Sequence, residues 1–314
     1  MTIDNYEGSL LGLAVGDALG APVEFKTRGS FEPVTGMQGG GTWGLPIGYW
    51  TDDTSMALCL AESLVETKDF NLTDQLDRYI LWYREGHLSS TGSCFDIGVT
   101  TRNALSTYEA TQRPYSGPTN SSTAGNGSLM RLAPVPLAYA LDFRVAVERS
   151  GESSQTTHGA LEAVDSCRYL GCLIASAAIG ISKEDFLGQR YCQQEGYWDQ
   201  WPLCEKVDDI ANGSFKKKSP SEIKGTGYVI DCLEAALWAF YTTDSFRDGC
   251  LKAVNLGDDS DTTAAVYGQL AGAYYGASAI PEEWLTVLTE IGLIKSFAKR
   301  LYELSLEQIT REGL

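Results

Sequence analysis

Apolar residues recur along most of the chain three to four positions apart, and strand-length alternation of apolar and polar residues is scarce. "EGSLLGLAVGDALGAPVEF" reads as a first helix, rich in small residues and ending near Pro22. Further helices are predicted from about Asp53 to Glu66, over "NLTDQLDRYILWYREG" with Asn71 or Thr73 as N-cap, and over "DIGVTTRNALSTYEA". The same spacing continues in "SLMRLAPVPLAYAL", "TTHGALEAVDSCRYLGCLIASAAIG", "YVIDCLEAALWAFYTT" and "SFRDGCLKAVNLG". It returns in "DTTAAVYGQLAGAYYGAS" and "PEEWLTVLTEIGLIKSFAKRLYELSL". Two stretches interrupt it: the glycine-rich residues 31–50, and residues 114–128, "PYSGPTNSSTAGNGS". The second is longer than an ordinary connection and is a candidate functional loop. With no linker, low-complexity tract or shift in composition, the expectation is one all-α domain of ten or more helices over residues 1–314.

Small residues fall about four apart at Gly8, Gly12, Gly16 and Gly20, and again at Gly268, Gly272 and Gly276. Such stripes let two helices approach closely, at an entropic cost of about 1 kcal/mol for each interior glycine.

Charge narrows the class. Lys and Arg number 24 against 41 Asp and Glu, a formal net charge of −17. That surface repels phosphate, which argues against general binding of nucleic acid or anionic membranes. No basic segment followed by an apolar run opens the chain, and "LLGLAVGDALGAPV" carries Asp17 and is too short to span a bilayer. Eight cysteines form no CxxC pair and only two histidines are present, so a zinc site is not expected. The cysteines read as reduced core residues of a cytoplasmic protein.

Against this background two acidic stretches stand out: "WTDDTSMAL", with Asp52 and Asp53, and "LGDDSDTTAAV", with Asp258, Asp259 and Asp261. Each precedes an apolar, small-residue helix, where one or two oxygens serve as caps and acids favour the positive end of the macrodipole. The five carboxylates oversupply capping, and no nearby Lys or Arg pairs with them. An EF-hand is excluded, because counting from Asp259 puts Ala264 and Leu270 where Gly and Glu belong. Capping and an oxygen-only cage for hard cations both remain open on the residues alone.

"GSLLGLAVGDALGAPVEF", "WTDDTSMAL", "GNGSLMRLAPVPL", "TTHGALEAVDSC" and "LGDDSDTTAAVYGQLAGAYYG" resemble, in order and spacing over roughly residues 6–300, the ADP-ribosylglycohydrolases. "STGSCFDIGVTTRNAL" and "GTGYVIDCLEAALWAF" are most similar to the bacterial dinitrogenase reductase activating type, which removes ADP-ribose from arginine. The resemblance implies a compact all-α fold with a binuclear Mg²⁺ or Mn²⁺ centre. Thr51, Asp52 and Asp53 match one ligand motif; Asp259, Asp261 and Thr262 match the other; Asp258 stands where relatives often carry Gly. Glu24 matches an acid beside the metals, and Asp96, in "FDIG", an acid acting on the scissile bond. These two are the implied catalytic residues.

The implied substrate-binding set is Gly98, Thr123, Gly125, Asn126, Gly127, Ser128, His158 and Tyr228. A glycine loop is suited to bringing backbone N–H groups to a diphosphate. Without the resemblance, Asp96 reads as an N-cap, His158 as a hydrogen-bonded core residue and Tyr228 as packing. The implied partner is a mono-ADP-ribosylated protein, with ADP-ribose as product. Other ADP-ribosyl linkages, a metal-dependent phosphohydrolase and a non-catalytic ADP-ribose-binding protein are the alternatives.

Overall fold

A computed structural model describes residues 1–312, with side chains through Gln308; the last two residues of the expected domain lie outside the described residues. The described chain is helical: α1 (Ile3–Gly20), α2 (Asp52–Thr67), α3 (Leu72–Glu85), α4 (Val99–Thr111), α5 (Pro134–Ala138), α6 (Phe143–Ser154), α7 (Leu161–Ala178) and α8 (Lys183–Phe186). There follow α9 (Tyr197–Gln200), α10 (Glu205–Ala211), α11 (Val229–Tyr241), α12 (Phe246–Val254), α13 (Ser260–Tyr275), α14 (Glu282–Val287) and α15 (Ile291–Glu312). Only two isolated β-bridges occur among the described residues, Gly40 with Leu45 and Gly125 with Tyr228.

The glycine stripes explain the centre of the molecule. α1 and α13 run antiparallel in contact, and one hydrophobic core surrounds them. A Cβ on Gly12 would strike the carbonyl of Gly268, and one on Gly16 the carbonyl of Ala264. At the end of α1, Gly20 meets the backbone of Ser260 and Asp261. This register sets the C-terminal end of α1 against the first turn of α13. From Gly8 to Gly20 α1 is buried all round, as a stretch apolar on every face but for Ser9 and Asp17 requires.

Some boundaries differ from the sequence reading. α3 takes Asn71 as its N-cap, accepting from Thr73 N and Asp74 N at 3.1 Å each. "SLMRLAPVPLAYAL" forms only the short α5, because Pro134 and Pro136 remove amide donors. α6 lay unread in "FRVAVERSGESS", whose apolar positions are few; Asp142 caps it through Val145 N. α7 begins at Leu161, which leaves His158 in the preceding loop. The last helix is two, parted near Glu290, whose backbone is left-handed (φ 47°).

Candidate metal centre and ligand cavity

The start of α2 is capped from elsewhere. Asp17 of α1, fully buried, accepts from Thr51 N (2.9 Å), Thr51 Oγ1 (3.0 Å), Thr54 N (3.0 Å) and Thr54 Oγ1 (2.6 Å). Its two oxygens occupy the orphan donors that Asp52 or Thr51 would otherwise serve. Neither end of the capping question applies to Asp52 and Asp53, which are buried in the first turn of α2 for another reason. The sequence reading used Asp17 only as an interruption of apolar character; an acid inside so apolar a helix was itself the signal of a buried partner.

Around this cap the other acids converge. One oxygen each of Glu24, Asp96 and Asp261 lie within 4.8 Å of one another. Thr262 Oγ1 is 3.3 Å from Asp53 Oδ1, joining the start of α13 to that of α2. Asn126 Nδ2 donates to Asp259 Oδ2 at 2.7 Å, tying the glycine loop to the same cluster. Asp96 is not an N-cap: α4 starts at Val99 behind Gly98, and Asp96 has a left-handed backbone (φ 59°). Asp258, also left-handed (φ 56°), is exposed, and its backbone pairs with Phe25 and Lys26.

The electrostatics call for cations. Burial first, and then the charge of Asp96, pushes Glu24 up to about 9. Burial followed by the charges of Asp17 and Asp259 pushes Asp96 up to about 7. Burial also drives Asp52, Asp53 and Asp261 well above the ordinary carboxylate range, helped respectively by Asp96, Asp17 and Glu24. The charges acting most strongly on these groups are other carboxylates. Asp53 Oδ2 is buried with no hydrogen-bond partner. An orphaned buried oxygen in a nest of acids, with hydroxyl and carboxylate donors only, fits hard divalent cations.

A cavity of about 630 Å³ opens over the cluster. One wall is formed by Glu24, Asp52, Asp96, Asp259, Asp261 and Thr262, the other by Gly125, Asn126, Gly127, Met130 and His158. Gly98 also lines it, and Arg102 stands there as its one cation. Thr51 and Asp53 lie buried behind the acidic wall. Thr123, Ser128 and Tyr228 are outside the lining. Ser128 Oγ meets Ser154 Oγ at 2.8 Å in the interior, Thr123 Oγ1 donates to Asn120 O, and Tyr228 OH bridges Lys206 and Glu162.

Sequence reading also passed over Trp43. The bridge between Gly40 and Leu45 turns the glycine-rich loop so that Trp43 Nε1 donates to Glu24 Oε2 at 3.0 Å. Trp43 packs on Phe95 with ring centroids 5.7 Å apart, and Phe25 beside it is exposed. A second cavity of about 430 Å³, along residues 185–199, includes none of the clustered acids.

Comparison with known proteins agrees with this architecture. The family model described as ADP-ribosylglycohydrolase matches residues 1–310. "ADP-ribosylarginine hydrolase Tri1" of Serratia proteamaculans is 41% identical over 307 residues, 98% of this chain and 81% of that protein. "ADP-ribosyl-[dinitrogen reductase] glycohydrolase" of Rhodospirillum rubrum is 32% identical over 295 residues, 91% of this chain and 90% of that one. A solved structure titled "ADP-ribosylglycohydrolase-related protein complex" superposes with a TM-score of 0.84 at 44% identity, covering 96% of this chain and 98% of its own. With helical fold, acidic cluster and family match in agreement, the chain belongs to the ADP-ribosylglycohydrolase family.

Proposed function

We propose that this chain hydrolyses the N-glycosidic bond between ADP-ribose and a protein arginine, releasing ADP-ribose, as one cytoplasmic domain over residues 1–314. The observation that carries this reading is the cavity itself, with clustered acids on one wall and a glycine loop on the other. The acids suit a ribose whose C1″ becomes positive as its bond to nitrogen breaks; the loop suits a diphosphate. The aromatic pair Trp43 and Phe95, beside Glu24 and Asp96, favours a planar guanidinium over a serine hydroxyl as the attached group. The name "ADP-ribosylarginine hydrolase" carried by relatives 41% identical supports the same choice.

Thr51, Asp52, Asp53, Asp259, Asp261 and Thr262 are the residues that would hold two divalent cations, Mg²⁺ or Mn²⁺. Such ions supply Lewis acidity and an activated water near neutral pH. Asp17 keeps the Thr51 hydroxyl proton occupied, so that the oxygen's lone pairs are free for a cation. Asp96 stabilises the positive charge developing at C1″ as the guanidine nitrogen leaves with the bonding pair, takes up the proton of the entering water and returns it to that departing guanidine, while Glu24, fixed by Trp43, holds the ribose hydroxyls. Asn126 orients Asp259 through its amide. The test uses defined peptides carrying ADP-ribose on arginine or on serine, with Mg²⁺ or with chelator. Free ADP-ribose from the arginine peptide, lost on chelation, is the expected outcome. Inorganic phosphate as product, preference for serine, or binding without turnover would each displace this reading.

A further inference from the structure

Arg131 follows the glycine loop and is fully buried, yet it makes no ion pair among the described residues. A cation in that position is tolerable only if its donors are well used. Nη1 donates to Gly127 O at 2.8 Å; Nη2 donates to Thr156 Oγ1 at 3.1 Å and to Thr157 Oγ1 at 2.8 Å. The guanidinium carbon sits 4.6 Å from the centroid of the Tyr79 ring. Nε alone finds no partner; the rest of the charge is spent on the backbone of the loop and on two buried hydroxyls.

The second of these hydroxyls, that of Thr157, touches His158. Thr157 Oγ1 lies 2.9 Å from His158 Nδ1, and the oxygen already accepts from Arg131. The hydroxyl's own proton finds its acceptor in Nδ1. The opposite arrangement, with Nδ1 donating, would strand a buried hydroxyl proton, since Thr157 Oγ1 has no other acceptor among the described residues. The imidazole proton therefore sits on Nε2. Nε2 lies along the loop, where a Cβ on Gly125 would come 3.4 Å from it and one on Gly127 would press the ring at 2.9 Å. No protein group among the described residues accepts from Nε2, and His158 faces the cavity.

We propose that Arg131 is a positioning residue that, through Thr157, presents His158 to the cavity as a neutral imidazole with its proton on Nε2, a fixed donor for a phosphate oxygen. The phosphate part rests on the ADP-ribose reading; the tautomer does not. Burial, and then the Arg131 charge, pushes His158 down to about 3, so the ring stays neutral and donates rather than relaying protons.

With two histidines in the chain, long-range ¹⁵N–¹H spectra of the imidazoles separate them readily. In the metal-free protein, His158 is expected to show the neutral Nε2–H pattern from pH 5 to pH 8. Thr157→Val should mix the tautomers, weaken ADP-ribose binding about tenfold and raise KM alike, with kcat changed less than about twofold. Arg131→Lys should recover part of what Arg131→Met loses. A proton on Nδ1 in the wild type would overturn the proposal, as would a Thr157→Val protein with unchanged tautomer and unchanged ADP-ribose affinity. A purely structural role would lower Tm without moving the tautomer. If the Nε2–H pattern is found but neither ADP-ribose nor pyrophosphate binds, His158's role toward phosphate falls. If pyrophosphate binds and ADP-ribose does not, that role stands and the substrate reading falls.

Discussion

Asp17 and Asp53 are equally buried carboxylates on either side of one helix start, and they differ in company. Asp17 receives four hydrogen bonds from Thr51 and Thr54, which hold it near 6 against the push of burial. Asp53 has one oxygen near Thr262 and the other without any partner, and burial carries it well above the ordinary range. A carboxylate whose oxygens are filled by its own fold is part of the frame. One left with an empty oxygen is waiting for something the chain does not contain.

Substitution should separate the two roles. Asp53→Ala is expected to lower metal-dependent turnover by at least about 10³-fold, since it removes a carboxylate that would hold the cations. The metal-free protein should keep its Tm or gain, because a buried, unpaired acid has gone. Asp17→Ala is expected to destabilise by about 3–4 kcal/mol, read from urea unfolding, because buried donors at the start of α2 lose their acceptor. The comparison breaks if Asp53→Ala unfolds the chain or if Asp17→Ala leaves stability untouched.

The helical class was plain in the spacing of apolar residues, and the glycines marked α1 and α13 as helices open to close approach without naming each as the other's partner. The two acidic stretches were visible too, but their purpose was not. Capping and metal binding ask for the same residues at the same place, and only the position of Asp17, 34 residues before Thr51, separates them. Trp43 and Arg131 escaped notice for a related reason. A tryptophan in a glycine-rich loop and an arginine in an apolar run acquire meaning from partners distant in sequence.

A smaller but broader effect should appear in the pH dependence of the metal-free protein. Asp96 rises from 3.8 to about 7 and Glu24 from 4.5 to about 9, so the folded state holds protons that the unfolded chain releases. Their contribution is fully present below about pH 4 and is lost as pH rises through about 7 and then about 9. Between pH 5 and pH 9 the Tm should fall by about 5–10 °C. Saturating Mg²⁺ should flatten the trend, because bound cations favour the ionised acids. A metal-free Tm that climbs with pH would contradict the absence of compensating charge around these acids.

The smallest effect sharpens the comparison within "GDDSD". Asp258 and Asp259 are neighbours, but Asp258 points to solvent from a left-handed backbone (φ 56°), and what it gives the site is its main chain: Asp258 N to Lys26 O at 2.8 Å and Phe25 N to Asp258 O at 2.7 Å. Glycine adopts that conformation without strain, so Asp258→Gly preserves both bonds. It also removes a charge that helps raise Asp259. Against these gains stands the greater freedom of glycine in the unfolded chain, and the net change in stability should stay within about 0.5 kcal/mol. Turnover should remain within about twofold of wild type. Asp259→Gly, one residue on, should lose metal-dependent turnover like Asp53→Ala. If Asp258→Gly proves as damaging as Asp259→Gly, then the exposed acid joins the metal-binding set, and burial no longer marks which carboxylates this family member uses.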